Sequence, residues 1–279
     1  MPRLKRGMTR IRFANSQQSP KERGQAPAWG SKSDLAWLTA RPIAHRGLHD
    51  PAQGIIENTP SAAAAAVAGG YGIEADLQIS ADGEAMVHHD DILGRLTDGS
   101  GALRDISAAA LRRVPFRAAA DRMMTLGDLL DLVAGRVTLA IEIKSRFDGD
   151  LRLVTRTAAV LAPYRGPVAI MSFDPAFIAE LRRIAPRIVR GIVAGRGHPP
   201  HIWKHLNPAQ RIELTFLLHG TKSRPDFLAH RVDDLAAITP RAARLMFGLP
   251  LLAWTVRSAQ DRAMAARFAD QVIFEGFRA

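Results

Sequence analysis

The chain has 279 residues, of which 47% are hydrophobic and 23% charged, a composition typical of a globular protein with ample length for a full core. It has no run of 18 apolar residues, which argues against a transmembrane segment, and its basic N-terminus lacks the apolar stretch of a secretory signal. The absence of cysteine excludes disulfides and thiolate chemistry, and the cytoplasm is the default location.

The net charge of +11 is concentrated at the N-terminus. Residues 1–24 contain seven Lys or Arg and one Glu, so they carry +6 and the other 255 residues carry +5. Residues 13–33 have a linker composition rich in Ser, Gln, Lys, Pro and Gly. We expect a basic, disordered tail at 1–33 and one domain at 34–279, with no specific nucleic-acid partner. Weak contact with an anionic surface through the tail is the lesser interpretation.

After a short helical segment at 34–38, eight predicted strands alternate with helical segments along the chain. The strands are 43–46, 73–79, 138–144, 168–173, 188–194, 226–230, 251–256 and 271–275. The helices are 60–68, a segment between Thr125 and Gly135, 150–162, 175–185, 240–247 and 258–268, with an irregular region at 195–224. Alternation implies a parallel sheet, and eight repeats in about 240 residues favour a closed (β/α)8 TIM barrel. The alternative is a doubly wound open sheet, but no G-x-G-x-x-G follows the first strand.

Residues 73–90 predict a β-hairpin after the second barrel strand. The pair Asp82-Gly83 is a strong two-residue turn signal, and such a turn places Asp76 directly opposite His89. Because side chains alternate between the faces of a strand, Glu74 shares that face with Asp76 and His89. A shift of register by one residue is expected to turn His89 away from Asp76. The opposite face carries Ile73, Ala75, Leu77 and Ile79 and is the expected core face.

Three carboxylates lie at or near the C-terminal ends of predicted barrel strands, where the catalytic groups of such barrels sit. They are Glu74 and Asp76 on the second strand and Glu142 on the third. Like charges that share one cavity repel, and a hard divalent cation relieves that repulsion. An all-oxygen ligand set favours Mg²⁺ or Ca²⁺ over zinc. Pairing of each carboxylate with a surface Lys or Arg is the simpler alternative for any one of them alone.

Two histidines and two cations are expected beside these carboxylates. His45 and His89 would supply one base and one acid for transfer at a phosphorus or carbonyl centre. Arg46 and Lys144 would supply positive charge for an anionic substrate, phosphate above all. The histidines given a structural role are His49, His88, His219 and His230.

The ordered set of these segments resembles the glycerophosphodiester phosphodiesterase family over roughly residues 40–277. The resemblance is carried by Ala44-His45-Arg46-Gly47, Glu57-Asn58-Thr59-Pro60, Glu74-Ala75-Asp76-Leu77, Val87-His88-His89-Asp90 and Glu142-Ile143-Lys144. Secondary motifs are Gly94-Arg95-Leu96-Thr97, Ser172-Phe173 and Trp254-Thr255-Val256.

The resemblance implies a TIM barrel that cuts glycerophosphodiesters, its small-molecule substrates, into sn-glycerol 3-phosphate and an alcohol with the help of a divalent cation. By position it implies that Glu74, Asp76 and Glu142 bind the metal and that His45 and His89 form the acid–base pair. The phosphate-contacting residues it implies are Arg46 and Lys144. The implied route is attack of a neighbouring glycerol hydroxyl on phosphorus through a cyclic phosphate, which water then opens.

The chain departs from the family pattern at two late positions. Arg257 stands where the family often has Asn, and Phe274-Glu275 replaces a Thr-Asp pair. We expect both departures to shape the pocket for the alcohol. His201 and His205 lie within a Pro-containing stretch, expected to be a mobile loop over the barrel mouth rather than a metal site.

Two alternatives stay open beside the phosphodiesterase hypothesis. One is action on lysophospholipids, in the manner of lysophospholipase D. The other is a barrel without activity that binds anionic partners through its basic tail. The intact set of motif positions argues against an inactive barrel.

Overall fold

The computed structural model describes residues 35–195 and 206–279. The predictions for residues 1–33 and for His201 and His205 lie outside these ranges. Within them, the strands are β1 (Ile43–Ala44), β2 (Gly72–Ile79), β3 (Ala85–Val87), β4 (Leu139–Ile143), β5 (Val168–Ser172), β6 (Val189–Ala194), β7 (Phe227–Arg231), β8 (Leu251–Val256) and β9 (Gln271–Phe274).

Helices connect most of these strands. They are α1 (Ala36–Thr39), α2 (Pro60–Gly69), α3 (Ala108–Leu111), α4 (Leu126–Val133), α5 (Arg152–Leu161), α6 (Pro175–Ile184), α7 (Pro208–Thr215), α8 (Gly220–Ser223), α9 (Ile238–Phe247) and α10 (Ala259–Phe268). Short 3₁₀ turns lie at Pro51–Gln53, Leu103–Asp105 and Val232–Asp234. In the described ranges, none of the helices combines the length and apolar character needed to cross a bilayer.

The strands β1, β2 and β4 to β9 form a closed parallel barrel. Neighbouring strands follow chain order, and β1 pairs with both β2 and β9, which closes the circle. The hairpin strand β3 pairs antiparallel with β2 alone, outside the circle. The predicted (β/α)8 TIM barrel is therefore confirmed, and each predicted strand is present within two residues of its expected bounds.

Local sequence signals start the helices where the alternation predicts them. The side chain of Thr59 accepts a hydrogen bond from Ala62 N, and Pro60 occupies the first helical position of α2. Reciprocal capping boxes open α4 at Thr125 and α10 at Ser258. These caps satisfy backbone N–H groups that have no partner within the helix.

The prediction of an irregular region at 195–224 is wrong for its described part, which contains α7 and α8. Asn207 and Gln210 form a capping box, and Pro208 follows the cap. This start signal is present in the sequence, but the apolar periodicity of the eight-residue helix is weak and only Leu214 is buried. Periodicity therefore missed a helix that its cap indicates.

Alternate side chains of the strands face two separate layers. In β2, Ile73, Ala75 and Leu77 are buried in the layer between the strands and the outer helices. Glu74 and Asp76 point the other way, into the barrel. A second apolar cluster, which includes Phe227, fills the interior below them. Leu38 of α1 belongs to this interior cluster, so α1 covers the end of the barrel opposite the mouth.

The hairpin after β2 has a different register from the one predicted. Leu77 pairs with Val87 and Ile79 with Ala85, so three residues, 81–83, form the loop. Gly83 has a left-handed φ of 81°, as expected for the last residue of a three-residue hairpin loop. His88 N therefore donates to Asp76 O at 3.0 Å, and the predicted pairing of Asp76 with His89 is wrong.

His89 reaches the barrel mouth by a different route. The strand β3 ends at Val87, and the chain bends at His89, so the strict alternation of faces no longer applies there. His89 lines the cavity at the mouth, whereas His88 is buried and packs against Phe116 with ring centroids 6.4 Å apart. The bend, and not the turn register, positions His89.

We predict that Gly191→Ala destabilises the barrel by about 1–3 kcal/mol, because its new methyl group would collide with the buried ring of Phe227 on the adjacent strand. Urea denaturation measures the effect. The matched control is Gly220→Ala, where a Cβ meets no atom within 4 Å. Equal midpoints for Gly191→Ala and the unmodified protein would contradict this account of interior packing.

Candidate active site

A cavity of about 690 Å³ opens at the C-terminal ends of the barrel strands, and its wall is divided by chemistry. Ionisable side chains line one side: His45, Arg46, Glu74, His89, Glu142 and Lys144. Apolar side chains line the other: Phe147, Met171, Phe173, Val193, Trp254 and Ile273. Asp76, the seventh predicted site residue, is buried and bonded to Lys144. All seven predicted residues therefore come together.

The three carboxylates form one buried cluster. Glu74, Asp76 and Glu142 each present an oxygen within 4.8 Å of the others, and adjacent strands fix this spacing because Asp76 pairs with Glu142 in the sheet. Burial raises the pKa of Glu74 well above its ordinary value, and repulsion from Asp76 and Glu142 adds to the shift. Such a cluster is short of positive charge, and its all-oxygen donors fit a hard divalent cation.

Lys144 partly neutralises the cluster. Its Nζ lies 2.7 Å from Asp76 Oδ1 and 2.6 Å from Glu142 Oε1. Burial alone would lower the pKa of Lys144, but the two carboxylates raise it above its ordinary value. Burial alone would likewise raise the pKa of Asp76, yet Lys144 and Arg46 hold it well below its usual range. Lys144 and Asp76 are thus both charged in the folded protein.

Arg46 occupies a tight turn directly after the two-residue strand β1. Its φ of 57° is left-handed, and Gly47 continues the turn because a Cβ there would collide with Ala62. The turn aims Arg46 N at Glu74 Oε2, 2.9 Å away, and its guanidinium reaches Asp76 Oδ2 at 3.3 Å. Backbone and side chain of one residue therefore hold two of the three carboxylates.

His45 is fixed by a carboxylate from the other end of the chain. Its Nδ1 is hydrogen-bonded to Glu275 Oε2, while its Nε2 lies 3.9 Å from Glu74 Oε2. Burial opposes the charged form of Glu275, but His45, His49 and Arg257 hold its pKa well below its ordinary range. Burial lowers the pKa of His45. A carboxylate that accepts a hydrogen bond from Nδ1 of a neutral imidazole selects the tautomer in which Nε2 can accept a proton.

His89 is held by a second ionic network. Its Nδ1 lies 2.8 Å from Asp90 Oδ1, and Arg95 Nε donates to the other oxygen of Asp90 at 2.7 Å. Arg95 also donates to Glu57, which accepts from Arg46 at 2.6 Å. Although burial opposes ionisation, these partners hold the pKa values of Asp90 and Glu57 below their ordinary ranges. A continuous chain of charges therefore connects His89 to Arg46.

Sequence reasoning did not assign a supporting role to the side chains that hold these seven residues in place. They are Glu57, Asn58, Asp90, Arg95, Arg257 and Glu275. Four of them, Glu57, Asn58, Asp90 and Arg95, lie within the sequence motifs that carry the family resemblance. Their place in these motifs was the signal that could have indicated a role in the site. Asn58, for example, donates through Nδ2 to Asp76 Oδ2 at 2.9 Å.

Arg257 and Glu275, which were expected to shape the pocket for the alcohol, do not line the cavity in the structure and instead contact each other and His45. Arg257 Nε donates to Glu275 Oε1, and the second carboxylate oxygen of Glu275 is hydrogen-bonded to His45. Because β9 ends at Phe274 beside β1, the next residue meets His45 directly. The two residues that depart from the family pattern, Arg257 and Glu275, therefore hold His45, the proposed catalytic histidine, in position.

The fold and the site together define a class of protein: a TIM barrel with buried carboxylates, two carboxylate-bound histidines and two cations at its mouth. The sequence profile of the glycerophosphoryl diester phosphodiesterase family matches residues 45–276, and the chain belongs to that family.

Individual relatives agree with the family match. A glycerophosphodiester phosphodiesterase of Caldanaerobacter subterraneus subsp. tengcongensis is 28% identical over 161 residues, 54% of this chain and 65% of the relative. Glycerophosphodiester phosphodiesterase 1 of Rattus norvegicus is 27% identical over 161 residues, which cover 54% of this chain and 47% of that protein. The matches thus span about half to two thirds of these curated relatives.

A solved structure shares the fold over nearly its full length. The phosphodiesterase of Oleispira antarctica in complex with the product sn-glycerol 3-phosphate superposes with a TM-score of 0.68 at 19% identity, covering 85% of this chain and 94% of that one.

We predict that Glu275→Gln lowers kcat at least about tenfold, because the amide no longer provides the anionic acceptor that orients His45. Glu180→Gln, which removes a surface carboxylate paired with Arg183, is the charge-matched control and should leave kcat unchanged. Steady-state kinetics and circular dichroism of both variants are the measurements. Wild-type kcat in a folded Glu275→Gln protein would rule out the orienting role.

Proposed function

We propose that the protein is a metal-dependent phosphodiesterase that hydrolyses glycerophosphodiesters to sn-glycerol 3-phosphate and an alcohol. The observation that carries this proposal is the convergence of Glu74, Asp76 and Glu142 with His45 and His89 on one cavity, in a barrel of this family. The product found in the Oleispira antarctica relative supports the same substrate class.

The three carboxylates are the proposed ligands of Mg²⁺ or Ca²⁺. Their oxygens lie close enough to share one ion. Burial, and then repulsion from Asp76 and Glu142, raise the pKa of Glu74, and a cation would relieve the repulsion. When bound, the ion would polarise the phosphoryl oxygens as a Lewis acid. The Nζ of Lys144, which contacts Asp76 and Glu142, would then also interact with the phosphate of the substrate.

The two histidines divide the proton transfers in our proposal. Nε2 of His45 takes the proton of the glycerol hydroxyl next to the phosphate as its oxygen bonds to phosphorus. The bond to the alcohol breaks, and His89 donates a proton to the leaving oxygen. The resulting cyclic phosphate is opened by water, with the two histidines in reversed roles. Arg46 and Lys144 offset the charge that accumulates on the phosphoryl oxygens.

The apolar wall of the cavity is suited to carbon-rich parts of a substrate. Phe173 and Trp254 meet edge to face, with ring centroids 5.6 Å apart. Ile92, whose side chain is 57% exposed, also lines the cavity. These apolar lining residues favour lysophospholipids as the second candidate substrates. Equal amounts of glycerophosphocholine and lysophosphatidylcholine in one assay separate the two candidates by their products.

We predict that the protein with Mg²⁺ or Ca²⁺ releases sn-glycerol 3-phosphate from glycerophosphocholine or glycerophosphoethanolamine and that EDTA stops the reaction. His45→Ala and His89→Ala should each lower kcat by about 10²-fold or more. His219→Gln changes a buried histidine away from the cavity and is the control. Folded histidine variants that keep full activity would refute the assigned roles.

We also predict that Glu142→Gln raises the dissociation constant for Mg²⁺ or Ca²⁺ by about tenfold or more, because it removes one anionic ligand. Isothermal titration calorimetry measures this without substrate. Glu84→Gln removes a carboxylate paired with Arg156 outside the cavity and should bind the ion normally. Unchanged ion affinity in Glu142→Gln would place the metal elsewhere.

A further inference from the structure

Six residues other than glycine have a left-handed φ in the described part of the chain, and three of them stand just after helices. Ala134 and Arg224 directly follow α4 and α8, and Leu217 lies two residues after α7. A left-handed residue commonly ends a helix, so these three are accounted for. The other three are Arg46, Asn58 and Phe147.

The first two of these hold carboxylates of the site. Arg46 N donates to Glu74 Oε2 at 2.9 Å, and Asn58 Nδ2 donates to Asp76 Oδ2 at 2.9 Å. Phe147, with a φ of 58°, also lines the cavity. A bulky side chain seldom adopts this conformation, and backbone strain of this kind is concentrated at functional sites. The strained backbone of Phe147 therefore indicates that its ring has a role in the cavity.

The loop that carries Phe147 is anchored to the start of α6. Ser145 Oγ accepts from Phe147 N at 2.9 Å and donates to Asp174 Oδ2 at 2.5 Å. Asp174 is 5% exposed and caps α6, because its side chain accepts from Ala176 N at 2.8 Å. The ring of Phe147 packs against the interior apolar cluster. Backbone and ring are thus both held in place before substrate binds.

Phe147 lies on the side of the cavity where the alcohol leaves in the proposed mechanism. Two residues after His89, the proposed proton donor to the leaving oxygen, the carboxylate of Asp91 lies 3.3 Å from Arg146 Nη1. This contact joins the segment that carries His89 to the loop of Phe147. His45, which takes the proton of the glycerol hydroxyl, follows β1, and β2 separates β1 from β4. Phe147 is therefore placed on the alcohol side of the phosphate.

The cavity wall near Phe147 is aromatic. Phe173 and Trp254 line the same cavity, and their rings meet at 86° with centroids 5.6 Å apart. Aromatic faces attract quaternary ammonium groups through cation–π interactions. An aromatic wall beside the leaving alcohol is therefore suited to a cationic group that carries methyl groups.

A primary ammonium group fits this wall less well. It loses hydrogen bonds to water when it is buried, so it needs acceptors from the protein. The carboxylates of Asp90 and Asp91, which line the same cavity, are each paired with an arginine. Asp90 accepts from Arg95 Nε at 2.7 Å, and Asp91 is bonded to Arg146. A quaternary ammonium needs no such acceptor.

We propose that Phe147 is a specificity-determining residue for the leaving alcohol and that it favours an alcohol with a quaternary ammonium, such as choline, over one with a primary amine. This role rests on the proposed function, because it concerns the alcohol that the reaction releases. Choline and ethanolamine have the same charge and the same two-carbon chain, and they differ only in the methyl groups on nitrogen. The comparison of their glycerophosphodiesters therefore isolates the contact with the ring.

The test compares kcat/KM for glycerophosphocholine and glycerophosphoethanolamine, measured with Mg²⁺ as release of sn-glycerol 3-phosphate. We expect the unmodified protein to prefer the choline substrate by about tenfold. Phe147→Asn removes the ring but keeps a side chain that tolerates a left-handed φ, and it should reduce this preference to about twofold or less. Phe147→Tyr keeps the ring and should keep the preference. Phe216→Asn removes a ring that is 53% exposed outside the cavity and should change neither value.

The ratio of the two kcat/KM values separates specificity from a structural role. An equal loss for both substrates in folded Phe147→Asn, with the ratio unchanged, would overturn the proposal, and so would an unmodified protein without preference for choline. If circular dichroism shows that Phe147→Asn does not fold, Phe147→Gly, which adopts a left-handed φ without strain, decides by the same ratio. Release of sn-glycerol 3-phosphate from neither substrate by the unmodified protein would refute the proposed function itself. Release from both with an unchanged ratio would refute only the role of Phe147.

Discussion

The burial of three negative charges at one end of a barrel is the constraint on which this site depends. Parallel pairing of β2 with β4 sets Asp76 beside Glu142, and Glu74 is two residues before Asp76 on the same face. Water is largely excluded, so each carboxylate needs compensation from the protein or from an ion. Arg46 and Lys144 provide two positive charges for three carboxylates. Burial, and then repulsion from Asp76 and Glu142, still raise the pKa of Glu74. In the proposed function, a divalent cation bound by the three carboxylates would supply the positive charge that Arg46 and Lys144 leave uncompensated.

The two histidines also depend on paired charges. Each imidazole is held through Nδ1 by an ionised carboxylate, and that carboxylate is held by an arginine: Glu275 with Arg257 for His45, and Asp90 with Arg95 for His89. Both arrangements fix the direction of Nε2 before substrate binds. Rigid orientation of this kind lowers the cost of reaching a reactive geometry. Since separate elements supply the two pairs, their orientations depend on the barrel as a whole.

Sequence patterns predicted the barrel and the seven residues at its mouth for a common reason. Alternation of strands and helices specifies a parallel sheet, and in a closed barrel every C-terminal strand end points to the same opening. Residues such as His45 and Glu142, 97 positions apart, could therefore be brought together by their place on strands. Turn length could not be predicted in this way: Asp82-Gly83 is compatible with loops of two or three residues, and the structure uses three. The contact of His45 with Glu275 has no local signature, because it depends on β1 lying beside β9.

The direction of the strands also separates two kinds of chemistry along the barrel axis. At the C-terminal ends, the strands present buried carboxylates to the cavity, where low solvent access strengthens electrostatic interactions. At the N-terminal ends, α1 closes the interior and leaves an outer surface free of that electrostatic constraint. Leu245, Met246 and Phe247 can be exposed there without disturbing the carboxylates about 20 Å away. The packed interior around Phe227 lies between the two ends of the barrel. Substitutions on the surface at the N-terminal ends of the strands can therefore leave the charge balance of the carboxylates unchanged.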